Sequence, residues 1–265
     1  MFKKIYNLFK ILRKLSISGA IETLDQLKPM PFGLKILFKV FSLGINKNKK
    51  SLDSSPGEKL CGSLEDMGTT FIKLGQFLAT RPDIIGDKIA GDLEKLQDKL
   101  PAFDTEKAKN IIEKEIGSKS FKNILSLSKP IAAASIAQVH FAKIRIDDQE
   151  KDLAIKILRP NIHSLVNEEL DALMFLAFLI ESIFKKTKRL KLVEVISLLK
   201  EITNVEMDLR FEAAAAGELR DNTINDEGII VPKIYWNYTS KRILTLDRID
   251  GISIREVEQL SLIHI

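Results

Sequence analysis

Between residues 129 and 158 the apolar pattern of this chain changes period, and that change constrains the fold more than any other feature. Before and after it, apolar residues recur every three to four positions, as on helices; within it they alternate or run together, as on strands. Lys129–Ile131, Ala137–Ile146 (with Val139, Phe141, Ile144 and Ile146) and Leu153–Leu158 read as three strands. Asp147–Asp152 is expected as a polar hairpin loop, and Ala132, Ala133, Ala134 and Ser135 as the link between the first two strands. The third strand carries one cation, Lys156, between Ile155 and Ile157. Burying an ammonium costs several kcal/mol unless an anion meets it. Two readings follow: the Lys faces a carboxylate or a nucleotide phosphate, or the strand is an edge strand and the Lys points to water. Strand, small-residue link, strand, hairpin and Lys-bearing strand is the layout of a phosphate cover over a lysine, with Ala in place of the usual Gly.

The 265 residues, 45% hydrophobic and 29% charged, suffice for one large domain or two small ones and for a sizeable core. Cys61 is the only cysteine, so neither an internal disulfide nor a Cys-based metal site can form, and a reducing, cytosolic setting fits. His140, His163 and His264 are scattered without ligand spacing, and no zinc site is expected.

Charge is concentrated at the start. Residues 1–50 hold eleven Lys/Arg against Glu22 and Asp25, a net +9, so with the whole chain at +5 the remainder sums to −4. Residues 2–15 place Phe2, Ile5, Leu8, Phe9, Leu12 and Leu15 at helical spacing with Lys3, Lys4, Lys10, Arg13 and Lys14 between them. Such a basic amphipathic helix either lies on an anionic membrane surface or docks on its own domain with a solvated basic face. Pro31–Ile45 repeats the style. No nucleic-acid motif accompanies the charge, so nucleic acid is not expected as a partner. The longest apolar run, Ala172–Ile180, is too short for a bilayer of about 20 residues, and no signal peptide is expected.

Residues 46–57 have a linker composition. Leu60, Leu64, Met67, Phe71, Leu74 and Leu78 then form one stripe of a long helix on which Lys73 and Gln76 share a face, with Gly75 between them open to close approach. Helices are expected over Asp87–Lys99 and, capped by Asp104 and ended by Gly117, over Thr105–Ile116. After Pro160 come long helices at Ser164–Phe184 and Leu192–Ala216, separated by the basic turn Lys185–Arg189. The second carries Glu206, Asp208 and Glu212; about 100° per residue puts Asp208 and Glu212 on one face and Glu206 elsewhere. Two carboxylates on one face want a cation, and Lys156 and Lys73 are the candidates; the alternative is a solvated acidic face. Residues 229–251 read as a closing β-hairpin and loop.

With these stretches in order, the chain resembles the UbiB/AarF/ADCK-type atypical kinases of ubiquinone biosynthesis. Lys73-Leu74-Gly75-Gln76 is similar to that family's Lys-x-Gly-Gln signature, and Ala132–Ser135 to its alanine-rich loop. Leu153-Ala154-Ile155-Lys156 is similar to its phosphate-lysine strand, and Glu206-Met207-Asp208 to its Glu-x-Asp motif, with Glu212 at the next acid. Leu244-Thr245-Leu246-Asp247 resembles the strand into the hinge, where the family more often has Glu. The likeness covers roughly residues 55–258.

The resemblance implies an α+β fold: a protein-kinase-like N-lobe, with a five-stranded antiparallel sheet and long helices, behind a helical N-terminal extension. The expected segments are basic helices at 1–50, the Lys-x-Gly-Gln extension at 55–125, the lobe at 126–258 and a tail at 259–265. It implies that ATP or ADP is held by Lys156 paired with a helix carboxylate, for which Glu212 is the choice, under Ala132, Ala133, Ala134 and Ser135. Lys73, Gly75 and Gln76 would lie over the active site as regulatory residues, with Lys73 meeting Glu206 or Asp208. Expected partners are nucleotide, a membrane surface, a quinone-type lipid and ubiquinone-biosynthesis proteins, at the cytoplasmic side of the membrane. Ala215 stands where the family commonly has Asn, which changes little. The His-x-Asp…Asn loop and the Asp-Phe-Gly magnesium site are absent, so no catalytic or metal-binding residue is assigned, and a truncated or split reading frame without phosphoryl-transfer activity of its own is expected. The alternatives are a non-catalytic nucleotide- or lipid-binding module and a non-functional fragment. A 2-polyprenylphenol hydroxylase finds no flavin, haem or iron site.

Overall fold

The computed structural model describes residues 2–18, 20–21, 25, 30–41, 55–94, 96, 100–252 and 259–260. Along the chain these form α1 (Phe2–Ser18), α2 (Phe32–Phe41), α3 (Pro56–Met67), α4 (Thr69–Ala79), α5 (Pro82–Ile85), α6 (Asp87–Leu93) and α7 (Thr105–Phe121). Strands β1 (Ile124–Ala133), β2 (Ala137–Ile146) and β3 (Gln149–Leu158) follow, then α8 (Ile162–Ile183), a 3₁₀ turn (Lys185–Leu190), α9 (Leu192–Glu206) and α10 (Leu209–Asn222), a second 3₁₀ turn (Trp236–Tyr238) and β4 (Ile243–Asp247). The class is α+β, as the sequence indicates. The chain divides into two units: one comprises Met1–Ala102, Ala133–Ala137 and Arg159–Met207, the other Phe103–Ala132, Gln138–Leu158 and Asp208–Ile265.

The first unit is helical. Its longest expected stripe, Leu60–Leu78, is two helices, because Gly68 takes φ +96° and breaks the run between α3 and α4. Ser55 and Glu58 close a capping box at the start of α3. The helix expected to Lys99 ends at Leu93, and residues 97–99 lie outside those described. Helix α1 packs on α2, α3 and α8, burying Ile11 and Leu12, and Leu12 joins Leu34, Phe38 and Leu176 in one apolar cluster. Lys14 does not belong to a solvated basic face: its Nζ donates to the Glu169 carboxylate at 2.7 Å and to the Met67 carbonyl at 3.0 Å. Lys10 and Arg13 stay exposed, and the side chains of Lys3 and Lys4 lie outside those described. On α2, Phe32, Ile36 and Val40 form an exposed stripe at a spacing of four.

The second unit is a sheet in the order β1-β2-β3-β4 with α7 packed on it. The polar loop expected over Asp147–Asp152 is only a two-residue turn: Asp147 and Asp148 take φ +50° and +58°, the left-handed pair that suits strand twist, and β3 starts at Gln149. The expected link Ala132–Ser135 is likewise shorter, since Ala132 and Ala133 end β1. Four strands are described where five were expected. The segment before β4 makes one bridge, Ile234↔Leu246, since Pro232 lacks an N–H and the 3₁₀ turn at Trp236 follows at once. On β3, Leu153, Ile155 and Ile157 join Ile111 and Ile112 of α7 in the core, so Lys156 points to the opposite face.

The helix expected over Leu192–Ala216 is broken. Asp208 is extended (φ −122°, ψ 94°) and caps α10 by accepting from the Arg210 N–H. A side chain that serves the backbone in this way competes with helix continuation.

Buried in β2, His140 sits in a chain of hydrogen bonds. Its Nδ1 lies 2.8 Å from the Ser128 carbonyl, which can only accept, so Nδ1 carries the proton. Its Nε2 lies 2.8 Å from Gln138 Nε2, which donates to it, while Gln138 Oε1 accepts from Phe103 N. A proton on His140 Nε2 would face a donor. Burial holds the His140 pKa below its ordinary 6.5. The unfolded chain therefore takes the proton first, and stability, complete above about pH 7, is lost as pH falls below that value. We expect a loss of up to about 1.4 kcal/mol per pH unit in this window, absent from His140→Gln, as measured by urea denaturation between pH 7.5 and 5.

Candidate functional site

Antiparallel pairing with β4 sets Lys156 opposite Leu244 in register, with Ile155 and Ile157 fully buried on either side. From the face of β3 opposite α7 its Nζ reaches α10, 2.8 Å from Glu212 Oε1 and 2.7 Å from Oε2. This bidentate contact is the anion that the sequence left open. The pair is half-exposed: the Lys156 side chain is 29% and the Glu212 side chain 48% accessible. A cation so placed is held by one carboxylate yet open to a second anion.

Lys73, one turn into α4, lies 3.0 Å from Glu206 Oε2 at the end of α9, within the first unit. Asp208, two residues on, belongs to the second unit. Its carboxylate accepts from Arg210 Nε at 2.9 Å and Nη2 at 2.6 Å, and this guanidinium holds the Asp208 pKa below the usual carboxylate range. The Glu-x-Asp stretch thus straddles the break between α9 and α10. The common face expected for Asp208 and Glu212 does not form, because Asp208 precedes the helix instead of belonging to it. A Cβ at Gly75 would overlap Leu96 Cδ1 and lie 2.7 Å from Leu64 Cδ1, so the space opened by this glycine is filled by side chains of its own unit. Gln76 is partly exposed on the same helix.

The small-residue link is tied down by residues that periodicity does not single out. Arg159 Nε and Nη2 donate to the Ala134 carbonyl at 3.0 and 2.8 Å, and Thr69 Oγ1 donates to the Ser135 carbonyl at 3.1 Å. The only sequence signal for Arg159 is its place at the end of the Lys156 strand, before Pro160. At the far end of β4, the Asp247 carboxylate accepts from the Tyr235 hydroxyl at 2.7 Å. Burial first, and this carboxylate second, push the Tyr235 pKa up to about 12.

Among the described residues no group of three or more His, Cys, Asp or Glu is placed to hold a metal ion. The Lys156 ammonium, partly exposed beside Glu212, is chemically suited to an anionic group such as a phosphate. Among the same residues no helix is long and apolar enough to cross a membrane.

A family model described as the ABC1 atypical kinase-like domain matches residues 95–265. The "Probable protein kinase UbiB" of Marinobacter nauticus is 36% identical over 241 residues, covering 91% of this chain and 43% of that protein. The protein of the same name from Pseudomonas paraeruginosa is 36% identical over 213 residues, covering 80% of this chain and 39% of that protein. The Pseudomonas aeruginosa protein of that name gives the same values. The chain thus spans less than half the length of the curated relatives it matches.

Proposed function

Because the chain belongs to the ABC1 atypical kinase-like family, we propose that it binds ATP or ADP, with Lys156 on the α/β-phosphates and Glu212 orienting it. The observation that carries this reading is the bidentate, partly exposed Lys156–Glu212 contact. Ala132, Ala133, Ala134 and Ser135 would cover the phosphates. Helix α4, with Lys73 tied to Glu206, would restrict access to them and disfavour a protein substrate. Bound ATP supplies a transferable γ-phosphoryl group. No step through magnesium is assigned, since its usual motifs are not among these 265 residues. These residues are the nucleotide-binding portion of a UbiB-type kinase or ATPase, and by themselves they bind nucleotide without turning it over. The test is calorimetric titration of the 265-residue chain with ATP and ADP, beside an ATPase assay with magnesium. Turnover abolished by Lys156→Ala would sink the claim that these residues do not turn nucleotide over.

The likeness to proteins named UbiB supports a role in ubiquinone biosynthesis, beside other proteins of that pathway and a quinone-type lipid, peripherally on the cytoplasmic side of a membrane. The feature favouring the membrane is the exposed Phe32–Ile36–Val40 stripe of α2, together with the basic excess of residues 1–50. A purely lipid-binding module is the second reading of the same feature. Binding to vesicles containing anionic lipid should fall several-fold between about 50 and 300 mM salt, as Debye screening tightens. Lys10→Glu with Arg13→Glu should weaken it further. Equal binding to neutral vesicles would count against the membrane role.

A further inference from the structure

We propose that the Arg248 side chain is a movable cover on the Phe141 ring beside Lys156, and that a nucleotide must displace it to seat its base. The inference rests on the nucleotide reading above and deepens it. Every residue it uses belongs to the second unit. Ala142 and Ile144 of β2, and Leu153, Ile155 and Ile157 of β3, lie in the core with α7. By alternation, Phe141, Ala154 and Lys156 share the opposite face. In β4, Leu246 pairs with Ala154 and Leu244 with Lys156, and paired residues share a face. The two-residue turn Asp147–Asp148 sets Phe141 opposite Ala154. The same register brings Lys143 to 4.0 Å from Asp152 and Arg145 to 3.8 Å from Glu150. Phe141, Ala154 and Leu246 thus form an apolar row beside Lys156. Same-face residues on a strand are about 7 Å apart, a gap that a ribose spans between phosphate and base. On the other side of Lys156 the next residue of this face, Leu158, is fully buried. A phosphate held by Lys156 therefore leaves its base to the row that carries the aromatic ring.

That ring already has an occupant. The Arg248 guanidinium lies over it, with Cζ 4.1 Å from the ring centroid. With the guanidinium there, Phe141 is half-buried and Ala154 buried. A flat guanidinium stacks on an aromatic face much as a base does. A base and this guanidinium cannot lie on the same ring face at contact distance. The Arg248 backbone is anchored, since its N–H donates to the Asp152 carbonyl at 3.3 Å, so only the side chain has to move. Its tether is weak. Asp250 Oδ1 accepts from Nε at 3.0 Å and from Nη2 at 2.9 Å, but both side chains stand partly in water. An exposed cation–π contact adds about a two- to fivefold preference for the covered state. Such a cover yields to a stacking base and is indifferent to phosphate alone. It also reverses an ordinary sign. Deleting a cation near an anionic ligand weakens binding by Coulomb's law, whereas deleting this one should tighten it.

The experiment compares wild type, Lys156→Met, Arg248→Ala and Phe141→Leu as full 265-residue chains. Calorimetry with ADP and with inorganic tripolyphosphate, which has no base, is run beside thermal melting. Arg248→Ala should bind ADP about two- to fivefold more tightly and tripolyphosphate no more tightly than wild type. Phe141→Leu should bind ADP about fivefold more weakly, through lost stacking, with tripolyphosphate unchanged. Weaker binding of both ligands to Arg248→Ala would make Arg248 a direct anion contact and overturn the inference. Tighter binding of both would make the effect one of general access and overturn it too. Wild type that binds ADP and loses it in Lys156→Met, beside an Arg248→Ala no tighter than wild type, overturns the cover alone. Unchanged ADP affinity in Phe141→Leu removes the base from this ring and the cover with it. Wild type that binds neither ligand overturns the nucleotide reading itself, and the cover falls with that reading.

Discussion

Replacing Lys156 by Met is expected to weaken ATP and ADP binding by about 30-fold or more while moving the melting temperature by no more than a few degrees. The two halves of this expectation have separate causes. The Lys156–Glu212 pair is half-exposed, and such pairs contribute about 0–1 kcal/mol to stability. Met keeps the apolar stem between the buried Ile155 and Ile157, so the strand keeps its packing. A phosphate at the same ammonium is different: a charge-assisted hydrogen bond contributes about 1.5–3 kcal/mol, and Met cannot make it. Glu212→Gln should act in the same direction but less, by about three- to tenfold, since Lys156 keeps its charge and loses only its orientation. Calorimetry beside thermal melting checks both. Intact affinity with a melting temperature lowered by ten degrees would instead make Lys156 a structural cation.

The second large effect lies in the first unit, at a cation that touches no proposed ligand. Lys14→Met should destabilise the chain by about 2–3 kcal/mol. Glu169 is almost fully buried, and Lys14 is its partner at 2.7 Å. Removing Lys14 leaves a buried carboxylate without its counter-charge, which costs about 3–5 kcal/mol in a fully buried pair. The figure is lowered here because Lys14 keeps about a third of its side chain in water. The Lys14→Met, Glu169→Gln double variant should recover part of the loss, since a neutral amide tolerates burial better than a lone carboxylate. Urea denaturation at pH 7.5 measures all three. Should Lys14→Met prove neutral, the clamp between α1 and α8 would have no energetic weight.

These two lysines show what was legible in the sequence. Lys156 stood out because alternation in β3 made a cation between two isoleucines conspicuous, and its partner Glu212 could be named from a motif order. Lys14 could not be separated from Lys10 and Arg13, because spacing places all three on a basic amphipathic helix and says nothing of what faces them. The β-hairpin turn at Asp147–Asp148 is shorter than the expected Asp147–Asp152 loop, since two Asp residues in left-handed conformation look like loop by composition. Ile230–Trp236 has the composition of a fifth strand, yet Pro232 and the 3₁₀ turn at Trp236 leave it one bridge.

What the sequence by itself determined is local and periodic: the α+β class, the helical stripes, the strand carrying Lys156, the Asp104 cap and the family. These follow from side-chain spacing along one chain, which needs no partner to be read. Tertiary structure alone decided the contacts that motif order leaves open. Of Glu206 and Asp208 it is Glu206 that goes to Lys73, Asp208 goes to Arg210, Glu169 to Lys14, and Arg159 to the carbonyl of Ala134. The physical reason is that an ion pair or a clamped carbonyl depends on a gap of about 3 Å between residues far apart in sequence. The break at Met207–Asp208, one residue with an extended backbone, redirects two carboxylates that helical spacing would have treated as neighbours on a single element.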